Sequence, residues 1–504
     1  MRCTVEQEKR ILFIQPYDRP WMNPKFSAGR KNSLPPRAVF EVGQRIPLEY
    51  AFAFLDVNLR SKQEPAWSIE KIVTEKVREF QPDLILLAFP TFAQGAQVKE
   101  IILTAKKISP AVKIILGGAT LNLIEDAPRR RWDWPVDACY WGNGAGITEL
   151  IEEVLVAEPG CFLTKSDPAG SLIDDYTPEA FYTANSRFDF DGYLAETRSA
   201  GMNPGAVVEL VRGCDRRCNY CAFGLNSVAK RSRKPATVLA EFYYLAQEGI
   251  DYILIIDPTF GLAGSETDEL LNGMMVFHTN YPEVQFDVMT SSGHLTAEFA
   301  RKLKEASCGR CGLGFETMSQ AGLYFLAKAS GPASGPEMVR KAVQNLVKAG
   351  VQVRLFHMLI PGEFSTDTIA FLLELAERKV DFIVQSSFLR PLPDKEAQEL
   401  FWTQDRTIFN PARDTVEHVM EYLLINIAFP SMDLTFEDFN LREAIKQAII
   451  EKRPLKSLFS QSCSEGRIVL KSGEYTFTES KTHDPMWMCI KKEALLCETF
   501  AQSD

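Results

Sequence analysis

The chain has 504 residues, 46% hydrophobic and 24% charged, with a formal net charge of −10 and a pI near 5.3. That length predicts two or three domains and a sizeable core, and the acidic balance argues against nucleic acid as a partner. A charged start ("MRCTVEQEKR"), no apolar run long enough to span a membrane, and eleven cysteines with no export signal predict a cytoplasmic protein whose cysteines are reduced thiols or metal ligands.

In chain order, "RILFIQ" (10–15) reads as a buried strand, and "SIEKIVTEKVREF" (68–80) as a helix with Ser68 as its N-cap. Its apolar face is Ile69, Ile72, Val73, Val77 and Phe80. "DLILLAF" (83–89) is a second apolar strand, and Val98, Ile101, Ile102, Ala105 and Ile108 mark the next helix. "VKIILGGAT" (112–120), "VDACYWGNGAG" (136–146) and the helix "ITELIEEVL" (147–155) continue the alternation. Buried strands alternating with helices predict an α/β fold, a doubly wound parallel sheet over residues 1–160. Ligands of such sheets sit beyond the strand carboxyl ends, where Thr91, Gly117, Gly118 and Gly142 fall.

Residues 161–205 are polar and turn-rich and read as a linker. The alternation restarts with strands at 206–211, 252–257, 284–289, 311–315, 351–360 and 380–388. Helices are expected at 237–248, 266–278, 296–306, 336–349 and 366–378. Six such units predict a partial, TIM-like (β/α)6 barrel over residues 206–395, with its loops forming one mouth. The remaining 396–504 reads as mostly helical, with helices at 413–428 and 436–451, then a hairpin "RIVLKSGEYTFTE".

"VRGCDRRCNYCAF" (211–223) follows the first barrel strand and spaces Cys214, Cys218 and Cys221 as C-x3-C-x2-C. A structural zinc site uses four protein ligands, and no fourth is evident here. A [4Fe–4S] cube takes one ligand per iron, so three thiolates leave one iron open to a substrate or cofactor. Arg212, Arg216 and Arg217 flank the loop and would offset the negative charge. Zinc binding and unligated thiols are the rival readings.

With this loop the sequence resembles the radical S-adenosylmethionine (SAM) superfamily, as does Tyr220 before the third cysteine. The resemblance implies that SAM chelates the open iron and is split to a 5′-deoxyadenosyl radical, with an external electron donor of flavodoxin or ferredoxin type. "LIIDPTFG" (254–261) is similar to the family's second-strand segment, which implies a contact between Asp257 and the SAM amino group. "CGLGFET" (311–317) resembles its fourth-strand element, placing Glu316 and Thr317 near SAM; "FHMLIPGE" (356–363) matches the fifth. Arg354 points into the barrel if strand alternation holds, and is a further SAM contact or a salt-bridge partner. His294 and His357 are expected near strand ends facing the mouth, Cys308 and Cys311 in packing, and Cys489 and Cys497 in a helical core.

"FPTFAQG", "ILGGATLN" and "VDACYWGNGAG" look like the cobalamin-binding domain, of flavodoxin-like or Rossmann-like fold, that precedes the barrel in one radical SAM subclass. Thr91, Gly117, Gly118 and Gly142 are then its cobalamin contacts. The usual lower-ligand histidine is missing: that region reads "QPYDRPWMNPKF" and the first histidine is His278. The resemblance implies a cobalamin-dependent radical SAM enzyme that methylates an unactivated carbon, or phosphorus, of a small metabolite. The alternatives are a radical enzyme that transfers no methyl group and has a vestigial front domain, and a non-enzymatic iron–sulfur sensor.

Overall fold

Two parallel sheets, each built from short apolar strands and the helices between them, form the larger part of the computed structural model. It describes residues 8–16, 32–63, 67–90, 94–118, 121, 129, 133–142, 144, 146–167, 177–184, 187–216, 218, 221, 230–326, 328, 335–359, 366–388, 467–470, 473–479 and 488–492. Tyr220, Thr91, Arg217, Cys497 and the helices expected at 413–428 and 436–451 lie outside these residues.

In chain order the strands of the front half are β1 (Arg10–Gln15), the two-residue β2 (Asn32–Ser33), β3 (Ala51–Asp56), β4 (Leu84–Ala88), β5 (Lys113–Gly117), β6 (Ala138–Gly142) and β7 (Leu163–Asp167). All but β2 form one six-stranded sheet in the order β3-β1-β4-β5-β6-β7, every pair parallel. The continuous apolar runs follow from burial on both faces. Ile11 and Phe13 join one core while Leu12 and Ile14 join the other. The helix Ile69–Phe80 begins as expected, with the Ser68 hydroxyl accepting from Lys71 N.

Residues 161–205 carry more structure than a linker. They supply β7, the edge strand of the front sheet, and the helix Phe190–Ser199, capped by Asp189 accepting from Gly192 N. Phe181, Tyr182, Phe188, Phe190 and Tyr193 from this segment gather around Phe40 and Phe54 of the front half. Tyr182 also stacks on Tyr244 of the barrel helix Pro235–Gln247, with centroids 5.5 Å apart. Scattered aromatics between polar turn residues have no helical or strand period, so their burial is invisible in the pattern.

The rear strands are β8 (Asn203–Val208), β9 (Val211–Arg212), β10 (Arg231–Ser232), β11 (Tyr252–Ile255), β12 (Gln285–Ser291), β13 (Cys308–Glu316), β14 (Gln352–Leu359) and β15 (Phe382–Phe388). Six of them follow one another in space as β8-β11-β12-β13-β14-β15, all parallel, which is the expected partial barrel. β2 from the front half adds a seventh parallel strand beside β8. Leu34, next in the chain, lies over Gly205, where a Cβ would meet its Cδ2 at 2.6 Å. The described part of the tail is a three-stranded antiparallel sheet: β16 (Arg467–Leu470), β17 (Gly473–Glu479) and β18 (Met488–Lys492). The expected hairpin is β16–β17. Cys489, expected in a helix, lies on β18 opposite Thr478, where "MCIKK" pairs along β17 as the third strand of the sheet.

Candidate functional site

The cysteine loop leaves the carboxyl end of β8, at the mouth of the barrel. Its base is pinched by the antiparallel pairing of β9 with β10, Arg212 opposite Arg231. Within the loop Cys221 N donates to Cys218 O at 3.2 Å, and Arg216 N points to Cys214 Sγ at 3.5 Å. Cys218 is buried, while Cys214 and Cys221 are half-buried.

Burial pushes the Cys218 thiol up. Lys328 and Arg216 oppose that shift, and Cys221 and Glu316 reinforce it, so these groups share one electrostatic environment. Arg212, expected to serve the cluster, is instead held by acids: its guanidinium meets Glu209 Oε2 at 2.6 Å and Glu41 Oε1 at 2.8 Å. The donor set suits an iron–sulfur cube, since three thiols share one loop and two cations stand nearby. Among the described residues no three His, Cys, Asp or Glu side chains converge tightly enough for a single metal ion. A cube does not require such convergence, because each thiolate binds a different iron.

Glu316 ends β13 in a left-handed conformation (φ 52°), and Lys328 Nζ bonds its Oε1 at 2.6 Å. Thr317 turns toward the helix Thr366–Glu377, its hydroxyl 3.3 Å from that of Thr368, and accepts from Ser319 N. Arg354 pairs in register with Gly312 and faces inward as alternation requires, its guanidinium 4.9 Å from the Phe356 ring centre. Phe356 fills the space at Gly312, where a Cβ would lie 2.7 Å from its ring.

His357 corrects an expectation. It takes the opposite face of β14, 6.0 Å from the ring of Phe315, which packs on Phe371 of a covering helix. Strand alternation puts Arg354 and Phe356 inside, and therefore His357 outside. Burial brings its pKa down to about 3, which keeps it neutral. His294 does lie at the mouth, in the turn after β12, where burial and then Arg216 lower its pKa. Asp257, with 0% exposure, accepts at Oδ1 from Leu210 N and Val211 N. Burial raises its pKa to about 8 against the pull of those two bonds.

Sequence reasoning missed Lys328 and Ser291. Lys328 is a lone lysine beyond a short helix, with no motif to single it out. Ser291 ends β12 beside Gly314, and its buried hydroxyl has no partner among the described residues. A polar residue closing a barrel strand was its available signal.

A second group lies on the front sheet. Gly117 and Gly142 end β5 and β6 at the carboxyl edge. Gly118 adopts φ +127°, and a Cβ there would sit 2.7 Å from Phe89 O, so the fold itself demands glycine. At Gly117 a Cβ would meet, among the described residues, only Tyr140 O at 3.7 Å. The described packing leaves room there, which suits a ligand approaching the backbone. Gly142, at φ +153°, likewise occupies a conformation reserved for glycine.

Residues 208–375 match the family model of the radical SAM superfamily. Over 87 residues the chain is 32% identical to the ribosomal protein uS12 methylthiotransferase RimO of Streptomyces griseus, covering 17% of each chain. Over 61 residues it is 33% identical to a tRNA-2-methylthio-N(6)-dimethylallyladenosine synthase of a Sulfurihydrogenibium species, 12% of this chain and 14% of that one. The chain thus matches less than a fifth of the length of these two relatives. Among solved structures it resembles TsrM of Kitasatospora setae, a radical SAM methyltransferase determined with cobalamin and a [4Fe–4S] cluster. The TM-score is 0.56 at 15% identity, over 78% of this chain and 76% of that one. It also resembles OxsB, a cobalamin-dependent SAM radical enzyme determined with aqua-cobalamin and SAM, with TM-score 0.51 at 16% identity, over 79% and 55%. At these identities the likeness is one of fold. Residues 208–375 thus match the radical SAM superfamily model, and the fold of the chain resembles those of TsrM and OxsB.

Proposed function

We propose that this protein is a cobalamin-dependent radical SAM enzyme that methylates an unactivated carbon, or phosphorus, of a small metabolite. The observation that carries the reading is the pairing of two sites. Among the described residues Gly117 is left open at the carboxyl edge of the front sheet, and three thiols share one loop at the mouth of the barrel. When bound, the cluster with SAM supplies a 5′-deoxyadenosyl radical and cobalamin supplies a transferable methyl group.

The chain's own residues do the holding. Cys214, Cys218 and Cys221 would ligate three irons. Glu316, Thr317 and Arg354, together with Tyr220, would hold SAM over the fourth. Gly117, Gly118 and Gly142, with Thr91, would let the front sheet's backbone approach the corrin. No residue before His278 can donate an imidazole to cobalt, so the front domain would supply no histidine ligand to it. The barrel walls would exclude water from the bound cofactors, and an external electron donor of flavodoxin or ferredoxin type would supply the reducing electron.

The test is anaerobic reconstitution with iron, sulfide and cobalamin, followed by SAM and a reductant. Both 5′-deoxyadenosine and S-adenosylhomocysteine are expected; 5′-deoxyadenosine alone would sink methylation. The relatives named for methylthio transfer favour a second reading, radical chemistry that ends in something other than simple methyl transfer, with a vestigial front domain. Protein purified with iron and sulfide but unable to retain cobalt would support it.

A further inference from the structure

The segment that carries β8 into the cysteine loop, residues 209–213, is held from three other elements. Asp257, just beyond β11, accepts at one oxygen from two successive backbone donors, Leu210 N at 2.8 Å and Val211 N at 3.0 Å. Arg233, just beyond β10, donates through its guanidinium to Glu209 O at 3.0 Å and through its backbone N–H to Leu210 O at 2.8 Å. Arg212 is fixed between Glu209 and Glu41. The two amides on Asp257 stand three and four residues before Cys214. They have left the β8–β11 ladder, which ends at Val208 opposite Ile255. Without Asp257 both would be buried donors lacking a partner.

The resemblance implied a contact between Asp257 and the SAM amino group. The carboxyl is instead fully enclosed, and Oδ1 is committed to the backbone. Its Oδ2 has no hydrogen bond among the described residues. A group serving only as a double acceptor needs no charge. Burial already favours the neutral form, so an amide of the same shape does the same work.

We propose that Asp257 is a positioning residue of the cysteine loop: its Oδ1 fixes residues 210–211, and through them the direction in which Cys214, Cys218 and Cys221 are presented, without contacting SAM. The proposal rests on the reading that these cysteines hold the cluster.

The experiment compares the full-length wild type with Asp257→Asn and Asp257→Ala, all reconstituted anaerobically with iron and sulfide. Iron and sulfide content, thermal unfolding, and the change that SAM induces in the EPR spectrum of the reduced cluster are read for each. Asp257→Asn is expected to keep cluster content and the SAM-induced change within about twofold of wild type, while Asp257→Ala loses cluster content by about tenfold or more, the usual cost of removing a group that orients metal ligands. Full cluster content in Asp257→Ala would overturn the proposal. So would an Asp257→Asn variant that keeps its cluster but loses the SAM-induced change, since that is the signature of a SAM contact. If Asp257→Ala fails to fold, the Asn variant alone decides by those same two readouts. A wild type that takes up no cluster would instead bring down the functional reading beneath the proposal.

Discussion

At the scale of single residues, Cys218 is the most informative thiol. It is buried, yet Lys328 and Arg216 pull its pKa back toward the thiolate that iron requires. Removing one cation should be visible before any metal is added. In apo protein, Lys328→Met should slow alkylation of Cys218 at pH 8 by roughly severalfold, because losing the cation leaves less thiolate. Peptide mass spectrometry after timed iodoacetamide treatment reads this, and an unchanged rate would remove Lys328 from the site. Asp257 gives a second signature. Its folded pKa of about 8 lies above the ordinary 3.8, so the native state keeps a proton that the unfolded chain releases. Its stabilising contribution is therefore complete below pH 4 and is lost as pH rises toward 8, by about a few kcal/mol. Wild type should lose melting temperature between pH 5 and pH 8 relative to Asp257→Asn; parallel pH profiles would contradict the assignment.

At the scale of elements, continuous apolar runs and their helical partners were legible because burial on both faces leaves a plain pattern. Each of the six barrel strands and the helix with Ser68 at its N-cap could be read that way. β3 could not: "AFAFLD" alternates alanine with phenylalanine and lacks the β-branched residues that mark its neighbours. The helix Arg37–Gly43 also escaped notice, because its buried Arg37 and Glu41 look like surface residues in sequence. The cysteine triplet was plain from its spacing. Lys328 and the backbone role of Asp257 depend on contacts across the barrel, which no local pattern encodes. The Gly-Gly pair looked like one feature and the structure divides it. Gly118→Ala should cost about 3 kcal/mol or more through its positive φ and the clash at Phe89 O. Gly117→Ala should leave the melting temperature nearly unchanged and reduce retention of cobalamin on gel filtration. Equal cobalamin retention in Gly117→Ala and wild type would separate this glycine from the corrin.

At the scale of the whole molecule, the two sheets are joined by a buried ionic network as well as by aromatic packing. Arg37 bonds Glu41 and Glu241, each at 3.1 Å; Arg233 bonds Glu241 at 2.5 Å; Arg212 bonds Glu41. Burial alone would raise the Glu241 pKa, yet Arg37 and Arg233 outweigh it and bring it down to about 2. Beside this network Tyr193 donates to Asp56 at 2.9 Å and meets Ser33 at 2.8 Å, tying the helix Phe190–Ser199 to the front half. Arg37→Met would leave Glu41 with Arg212 and Glu241 with Arg233 as their remaining ion-pair partners, and should cost about 2–4 kcal/mol. Calorimetry checks this, and a loss below about 1 kcal/mol would show that the ionic network contributes little to joining the halves. Through Glu41 and Arg212 the network also reaches the chain two residues before Cys214, so it ties the front half to the segment carrying the thiols.

The cysteine loop is expected to hold a cube with three protein thiolates and one open iron. Mössbauer spectroscopy of iron-57-reconstituted protein, before and after SAM, decides this. One iron in four should shift to a distinct, higher-coordinate signal when SAM binds. A spectrum that SAM leaves unchanged, with all irons equivalent and already capped, would contradict the account.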